Sequence, residues 1–344
     1  MKKSLVLAMA MALGVTASAY AANPFSDVPA GHWAYDSINK LAAAGVIEGY
    51  GDSTIKASYA SYDGDKLGEG NTTNHQGRLR SDLWVKGDIN DDWTYSAMFR
   101  NQRFFTNDKG NAGEENVDFQ RAYVNGRVGG LAVQAGRYNK TDITGGNIHD
   151  NRMDGVQVSY GKDVKLTAGY GKATGVDVVA GKDKDFAYAE LNGKLGAVDA
   201  YAAYYKFDNV AKTADDDKIW TVGMGFDLAK DLKLSGSYIK SDYDKAGVDD
   251  DGYVATLAYK GAKAAKAGSW GLSATYYDQG MGTVIAHTMD GVYFDEGFKG
   301  YSVGANYTLA KNIVAGVTYY DLETKEAGKD TDAQTLWSQV VFSF

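Results

Sequence analysis

No proline occurs between Ala30 and Phe344; the chain's two prolines, Pro24 and Pro29, both precede that stretch. Proline removes a backbone donor and is kept out of paired strands. Soluble domains of this size scatter prolines through their loops. A proline-free run of this length suits a chain in which nearly every residue sits in a hydrogen-bonded ladder or a tight turn.

The residues along that run alternate. In 77–87, Leu79, Leu83 and Val85 share one parity, and Arg78, Arg80, Asp82 and Lys86 the other. In 93–102, Trp93, Tyr95, Ala97 and Phe99 oppose Thr94, Ser96, Met98, Arg100 and Gln102. Val303, Ala305, Tyr307 and Leu309 oppose Gly304, Asn306 and Thr308, and Ile313, Ala315, Val317 and Tyr319 repeat the pattern. Successive strand residues point to opposite faces, so each segment has one apolar face and one polar or small face.

The breaks between segments alternate as well. Tight ones fall near Asn90–Asp92, Gly129–Gly130, Gly161–Asp163, Gly193–Lys194, Ala229–Asp231, Gly261–Gly268 and Ala310–Asn312. Longer polar ones fall near 63–75, 106–116, 139–152, 173–184, 208–217, 241–251, 278–299 and 323–332. Eight long connections and seven short ones join sixteen strands, with fourteen or eighteen also compatible with the pattern. The predicted fold is all-β: an up-and-down antiparallel barrel with short turns on one rim and long loops on the other.

The direction of the apolar face decides the solvent. A soluble barrel points it inward, and about sixteen strands would then enclose a void that side chains cannot fill. In a membrane the apolar face meets lipid, the lumen is wet, and the sheet must close because lipid offers backbone groups no partner. The expectation is a transmembrane barrel with a polar interior. Tyr59, Trp93, Tyr95, Tyr160, Tyr170, Tyr201, Tyr238, Tyr259, Tyr307 and Tyr319 are placed near strand ends, as aromatic girdles require, although tyrosine also favours strands generally.

The N-terminal region differs. Lys2 and Lys3, an apolar run from Leu5 to Val15 and small residues around Ala19 and Ala21 predict a secretory leader over 1–21. Residues 22–52 have helical spacing through Trp33, Ala34, Ile38, Leu41 and Val46; barrel sequence occupies 53–344. Export permits disulfides, yet cysteine is absent, so neither disulfides nor cysteine–metal chemistry hold the fold. With 36 basic residues, two of them in the leader, against 44 acidic ones, nucleic acid is not a partner.

The closing Gln339-Val340-Val341-Phe342-Ser343-Phe344 resembles the C-terminal signal read by outer-membrane barrel-insertion machinery, with Phe342 and Phe344 as its aromatic positions. Over most of 53–344 the pattern, loop order and terminal Phe344 resemble trimeric general porins. The stretch Val133-Gln134-Ala135-Gly136-Arg137-Tyr138-Asn139 is similar to the porin strand that runs into an inward-folding third loop, here about Lys140–Arg152. The resemblance implies a homotrimer in the outer membrane of a diderm bacterium. Phe25-Ser26-Asp27-Val28, His32-Trp33-Ala34 and Gly45-Val46-Ile47-Glu48-Gly49-Tyr50 resemble part of an S-layer homology domain. That resemblance implies a periplasmic segment binding peptidoglycan or another cell-wall polymer, with Asp27 and Trp33 as candidate contacts.

A diffusion channel acts through pore radius and field. Arg78, Arg80, Arg100 and Arg121 fall on one parity of consecutive strands and predict a cationic wall; Asp142 and Asp150, with Asp154 just beyond, are the candidate opposing carboxylates of a constriction. The alternative is that these are solvated lumen residues paired with neighbouring acids. The runs Asp215–Asp217 and Asp249–Asp251 read as solvated loop tips, with divalent-cation binding or inward steering of cations as the alternative. His32, His75, His149 and His287 show no metal-ligand spacing, and neither a nucleophile elbow nor a P-loop occurs, so no enzyme, metal or cofactor is expected. The predicted function is passive diffusion of ions and small hydrophilic solutes. An envelope tether and a sugar-specific channel lined with tyrosines are the alternatives.

Overall fold

The computed structural model describes residues 52–64, 74–107, 116–243, 248–325 and 328–344. The predicted leader and helical segment, with Asp27 and Trp33, lie outside the described residues. The strands are β1 (Thr54–Asp63), β2 (Asn74–Asn90), β3 (Trp93–Asn107) and β4 (Asn116–Val128), then β5 (Leu131–Thr141), β6 (Asp150–Tyr160), β7 (Val164–Ala173) and β8 (Asp185–Leu195). They continue as β9 (Val198–Val210), β10 (Asp215–Ala229), β11 (Leu232–Ser241) and β12 (Asp251–Lys260), then β13 (Trp270–Gly280), β14 (Gly297–Ala310), β15 (Ile313–Thr324) and β16 (Asp332–Ser343).

Each strand pairs antiparallel with the next, and β1 pairs with β16 from Thr54↔Ser343 to Asp63↔Gln334, so the sheet closes as the alternation predicts. Closure leaves no edge of unpaired backbone groups. The terminal Phe344 amide donates to the Ser53 carbonyl (3.0 Å), while Phe342 stands opposite Ile55 on the outward face. One turn differs from expectation. Gly193 and Lys194 remain in the β8 ladder, paired with Val164 and Asp199, and the reversal comes at Gly196, where φ is +67°. A glycine in a strand is an ambiguous turn signal; the backbone angle goes to the glycine that adopts it.

The outward face is apolar and uncovered. Leu79, Phe99, Val156, Leu191, Val222, Leu257, Leu272, Val303 and Leu309 are all exposed. Tyrosines flank this belt: Tyr160 and Tyr307 near the short turns, Tyr170, Tyr238, Tyr253, Tyr276 and Tyr301 near the long loops. The hydroxyls of Tyr170, Tyr238 and Tyr301 donate to Asp185, Asp251 and Asp321 at 3.0–3.2 Å, so the polar tip is satisfied at the water side of the belt. One predicted girdle residue belongs elsewhere: Tyr201 points inward and bonds Ser237. Tyr59 keeps the outward parity of Ile55 and stacks on the His75 ring, 5.8 Å between centroids.

Candidate functional site

The barrel interior is not uniformly polar, which corrects the expectation drawn from the strand faces. On the inward side of β8–β11, Phe186, Tyr188, Tyr205, Phe207, Ile219 and Ile239 form a buried apolar cluster. Inward side chains of a wide barrel are buried only if something inside covers them. The cover is the tip of the β5–β6 hairpin and its loop, residues 142–149, called loop 3 here: Tyr138, Ile148 and Met153 belong to the same cluster.

The hairpin tip is free to tilt because its outer neighbours let go. β4–β5 pairing ends at Ala122↔Arg137 and β6–β7 pairing at Met153↔Ala173, whereas β5 and β6 stay paired to Thr141↔Asp150. The departure falls at Gly136, with φ +121°, where a Cβ would stand 2.4 Å from the Ala122 carbonyl oxygen. Only glycine tolerates both that angle and that approach. Inside, Lys140 Nζ pairs with Glu190 Oε1 (2.5 Å), both side chains below a tenth exposed. Glu190 also accepts from the Tyr205 hydroxyl (2.6 Å), which in turn accepts from the Ile143 amide (2.9 Å). Asp142 is placed differently from its predicted role. It is buried, and its carboxylate accepts from the backbone amides of Thr144 (2.6 Å), Ile148 (2.9 Å) and His149 (2.8 Å), which shapes loop 3 rather than facing the lumen.

A second loop enters the barrel, and sequence reasoning missed it. Residues 281–296, loop 7 here, pack Val284 and Phe294 with Tyr277, Phe298, Tyr320, Leu322 and Trp337 from the inward side of β13–β16. Its signal was available: the longest break carries Val284, Ile285, Val292 and Phe294, which is too apolar for a solvated tip. The two loops are zipped together. The Ile285 and Ala286 amides donate to the Ile148 carbonyl (2.8 and 2.9 Å), Asp150 N to Ala286 O (2.7 Å), and Thr288 N to Gly146 O (2.9 Å). Gln279 Nε2 reaches the Asn147 carbonyl (3.0 Å), and Lys212 Nζ holds the Met281 carbonyl (2.8 Å) and that of Val284.

Opposite these loops stands the predicted cationic wall. Arg78, Arg80, Arg100 and Arg121 all lie on the inward parity of β2–β4, joined by Lys56 of β1, which sequence reasoning did not single out. Arg100 grips Asp82 with two bonds (2.6 and 2.7 Å), and Arg80 holds the neutral Gln102 Oε1 (3.1 and 3.0 Å). Arg78 and Lys56 lie over the Trp337 ring at 5.2 and 5.4 Å, and Arg121 over Trp84 at 5.4 Å. Arg121 Nη2 approaches Asn139 Oδ1 (3.4 Å), and Asn139 donates to Asp150 (2.7 Å). Asp150 also accepts from Thr141 (2.6 Å) and from Thr288 of loop 7 (2.7 Å), so it sits where both loops face the arginines. Asp154 pairs with Arg137 (2.6 Å) where the hairpin leaves the wall. The further acid whose field reaches Lys56, Arg78 and Arg80 is Asp290, at the tip of loop 7.

Both loops carry a buried histidine at their junction. His149 packs against the stacked rings of Phe186 and Phe207 (5.2 and 5.4 Å) and its Nδ1 bonds the Lys140 carbonyl (3.0 Å). His287 accepts from the Met289 amide at Nδ1 (3.0 Å), which leaves Nε2–H to donate to Gln279 Oε1 (3.2 Å). Burial lowers their pKa values to about 4 and about 3. Detached loops would expose both rings at the ordinary value near 6.5. Between the two values the detached form binds more protons, so the packed junction is intact above pH 6.5 and weakens as pH falls towards 4. For His149 that is about 3 kcal/mol, at about 1.36 kcal/mol per unit. Recordings at pH 7 and pH 4.5 should show stable openings at the first and frequent excursions to a larger conductance at the second. Identical traces would mean that the junction does not limit current.

The barrel fold is similar to that of several solved structures. Pseudomonas putida OprB, in a structure described as its high-pH form, superposes with a TM-score of 0.61 at 10% identity, over 90% of this chain and 97% of that one. Salmonella typhi OmpF in complex with daunomycin gives 0.56 at 12% identity, over 85% and 97%. A mutant of the Rh. blastica porin gives 0.53 at 14%, over 84% and 99%. The chain has a porin fold. At its other end, residues 24–59 match the S-layer homology domain, so the match runs into β1. Outer membrane protein SlpA of Thermus thermophilus is 45% identical over 58 residues, and SlpA of Deinococcus radiodurans 44% over 66; each match covers 17% of this chain and 6% of the relative. An S-layer homology segment thus precedes a porin-fold barrel, and the belt places that barrel in the outer membrane.

Proposed function

We propose that this chain forms a water-filled channel through which ions and small hydrophilic solutes diffuse passively across the outer membrane. The observation that carries this reading is the half-exposed cationic wall of β1–β4, which loops 3 and 7 face but do not cover. Opposed charges across an aqueous gap make a transverse field that favours polar solutes over apolar ones. The constriction in this reading is composite, with Arg78, Arg80, Arg100 and Arg121 on one side and Asp150 and Asp290 on the other. Nothing in this chemistry requires a catalyst or cofactor.

Two further parts belong to the proposal. Outward Ser81, Asn101 and Arg103 on β2–β3 stand beside Leu79 and Phe99, where lipid is a poor neighbour for polar groups and a second copy a better one. A homotrimer through this face fits the resemblance to general porins. The N-terminal segment joins β1 at the rim of short turns, the periplasmic rim in outer-membrane barrels. Asp27 and Trp33 would there meet cell-wall polymer, and Phe342 and Phe344 would serve barrel insertion.

Planar-bilayer recording with the purified full-length protein tests the central claim. Stepwise conductance with weak ion selectivity is the expected result. Absence of conductance from a folded, heat-modifiable barrel that still co-sediments with peptidoglycan would favour the tether instead.

A further inference from the structure

The cationic wall holds more charge than its fixed partners neutralise. Among the described residues, Arg100 is matched by Asp82, but Lys56 and Arg78 form no ion pair at contact distance, and Arg80 contacts only the neutral Gln102. Arg78 Nε is buried without a hydrogen-bond partner. Lys56 and Arg78 both lie over the Trp337 ring, itself fixed by Nε1–H donation to Gln339 (3.1 Å), so the two cationic heads share one indole. Register places Lys56 directly opposite Arg80, and Arg78 opposite Ser58 on the adjacent inward position of β1. Three cations therefore crowd one half-buried patch, where like charges repel in a reduced dielectric. The acid that offsets them, Asp290, belongs to loop 7 rather than to the wall.

We propose that Lys56, Arg78 and Arg80 form a binding subsite for small oxyanions, phosphate or carboxylate, and that Asp290 on loop 7 competes with the ligand for it. A tetrahedral or planar oxyanion matches the fork of a guanidinium and accepts from the ammonium beside it. Asp290 acts as a tethered counter-ion: it keeps the patch from binding anions too tightly to release them, which conduction requires. The subsite rests on the reading of the lumen as a conducting path, and deepens it by naming the solute class that lingers there.

Inorganic phosphate titrated against chloride current through the reconstituted full-length protein tests this. The expected result is saturable block. Asp290→Asn should lower the half-blocking concentration about tenfold, the loss of one competing charged contact. Arg78→Gln and Lys56→Gln should each raise it by about tenfold or more. Arg78→Lys, which keeps the charge and loses the fork, should fall between. Phosphate that changes current only in proportion to bulk conductivity would overturn the subsite while leaving the channel intact. Should no variant conduct, phosphate titration calorimetry on the folded barrel in detergent reads the same subsite. Heats that saturate and vanish in Arg78→Gln support it, and their absence in the wild type refutes it.

Discussion

Replacing residues 284–293 of loop 7 by a short glycine–serine linker should raise single-channel conductance about twofold or more, because it removes a segment that packs inside the barrel. The segment packs Val284 and Val292 on the inner wall and supplies the backbone that clamps loop 3. Its loss would uncover Tyr277, Phe298, Tyr320 and Trp337 to water inside the barrel. Each exposed large side chain costs roughly 1.5–3 kcal/mol at most. The closed sheet, paired along all sixteen strands, should survive that, with a lower unfolding temperature in detergent. Loop 3 should become protease-sensitive in the same variant, since the Ile148 and Gly146 carbonyls lose the Ile285, Ala286 and Thr288 amides that donate to them. Unchanged conductance would place the narrowest point elsewhere.

Reversing Arg78, Arg80, Arg100 and Arg121 to glutamate should turn the selectivity of the pore towards cations. Each substitution changes the local charge by two units on the wall that the loops leave open. Under a tenfold salt gradient the reversal potential should move towards the cation limit of about 59 mV. Arg100→Glu carries an added structural cost, since it sets a second carboxylate against Asp82, its present partner at 2.6 Å. The triple variant that spares Arg100 should therefore keep most of the shift with less loss of stability. A reversal potential unmoved by either variant would remove these residues from the conduction path.

Much of this arrangement was legible in the sequence. Parity along β2 and β3 identified Arg78, Arg80 and Arg100 as inward residues, and the structure sets them there because a strand gives a side chain only two directions. Asp150 could be found because it closes the β5–β6 hairpin. Asp142 sits nearby, and sequence alone cannot separate a carboxylate aimed at the lumen from one bound to three amides of its own loop. Asp290 and Lys56 escaped notice for a related reason. Their proximity depends on loop 7 folding inward beside β16 and β1, and no local pattern encodes that.

By itself, then, the sequence determined the closed sheet, the order of short and long connections and the outward apolar belt. Lipid contact and backbone pairing act on every residue locally, and their demands repeat every second position. Only the tertiary structure decided how the interior is filled. Loop 3 lies on the apolar lining of β8–β11, and loop 7 lies on β13–β16. Their junction joins Gln279 to Asn147 across 132 positions and Thr288 to Asp150 across 138. Such contacts follow from the shape of the space the barrel encloses, which exists only once the sheet has closed.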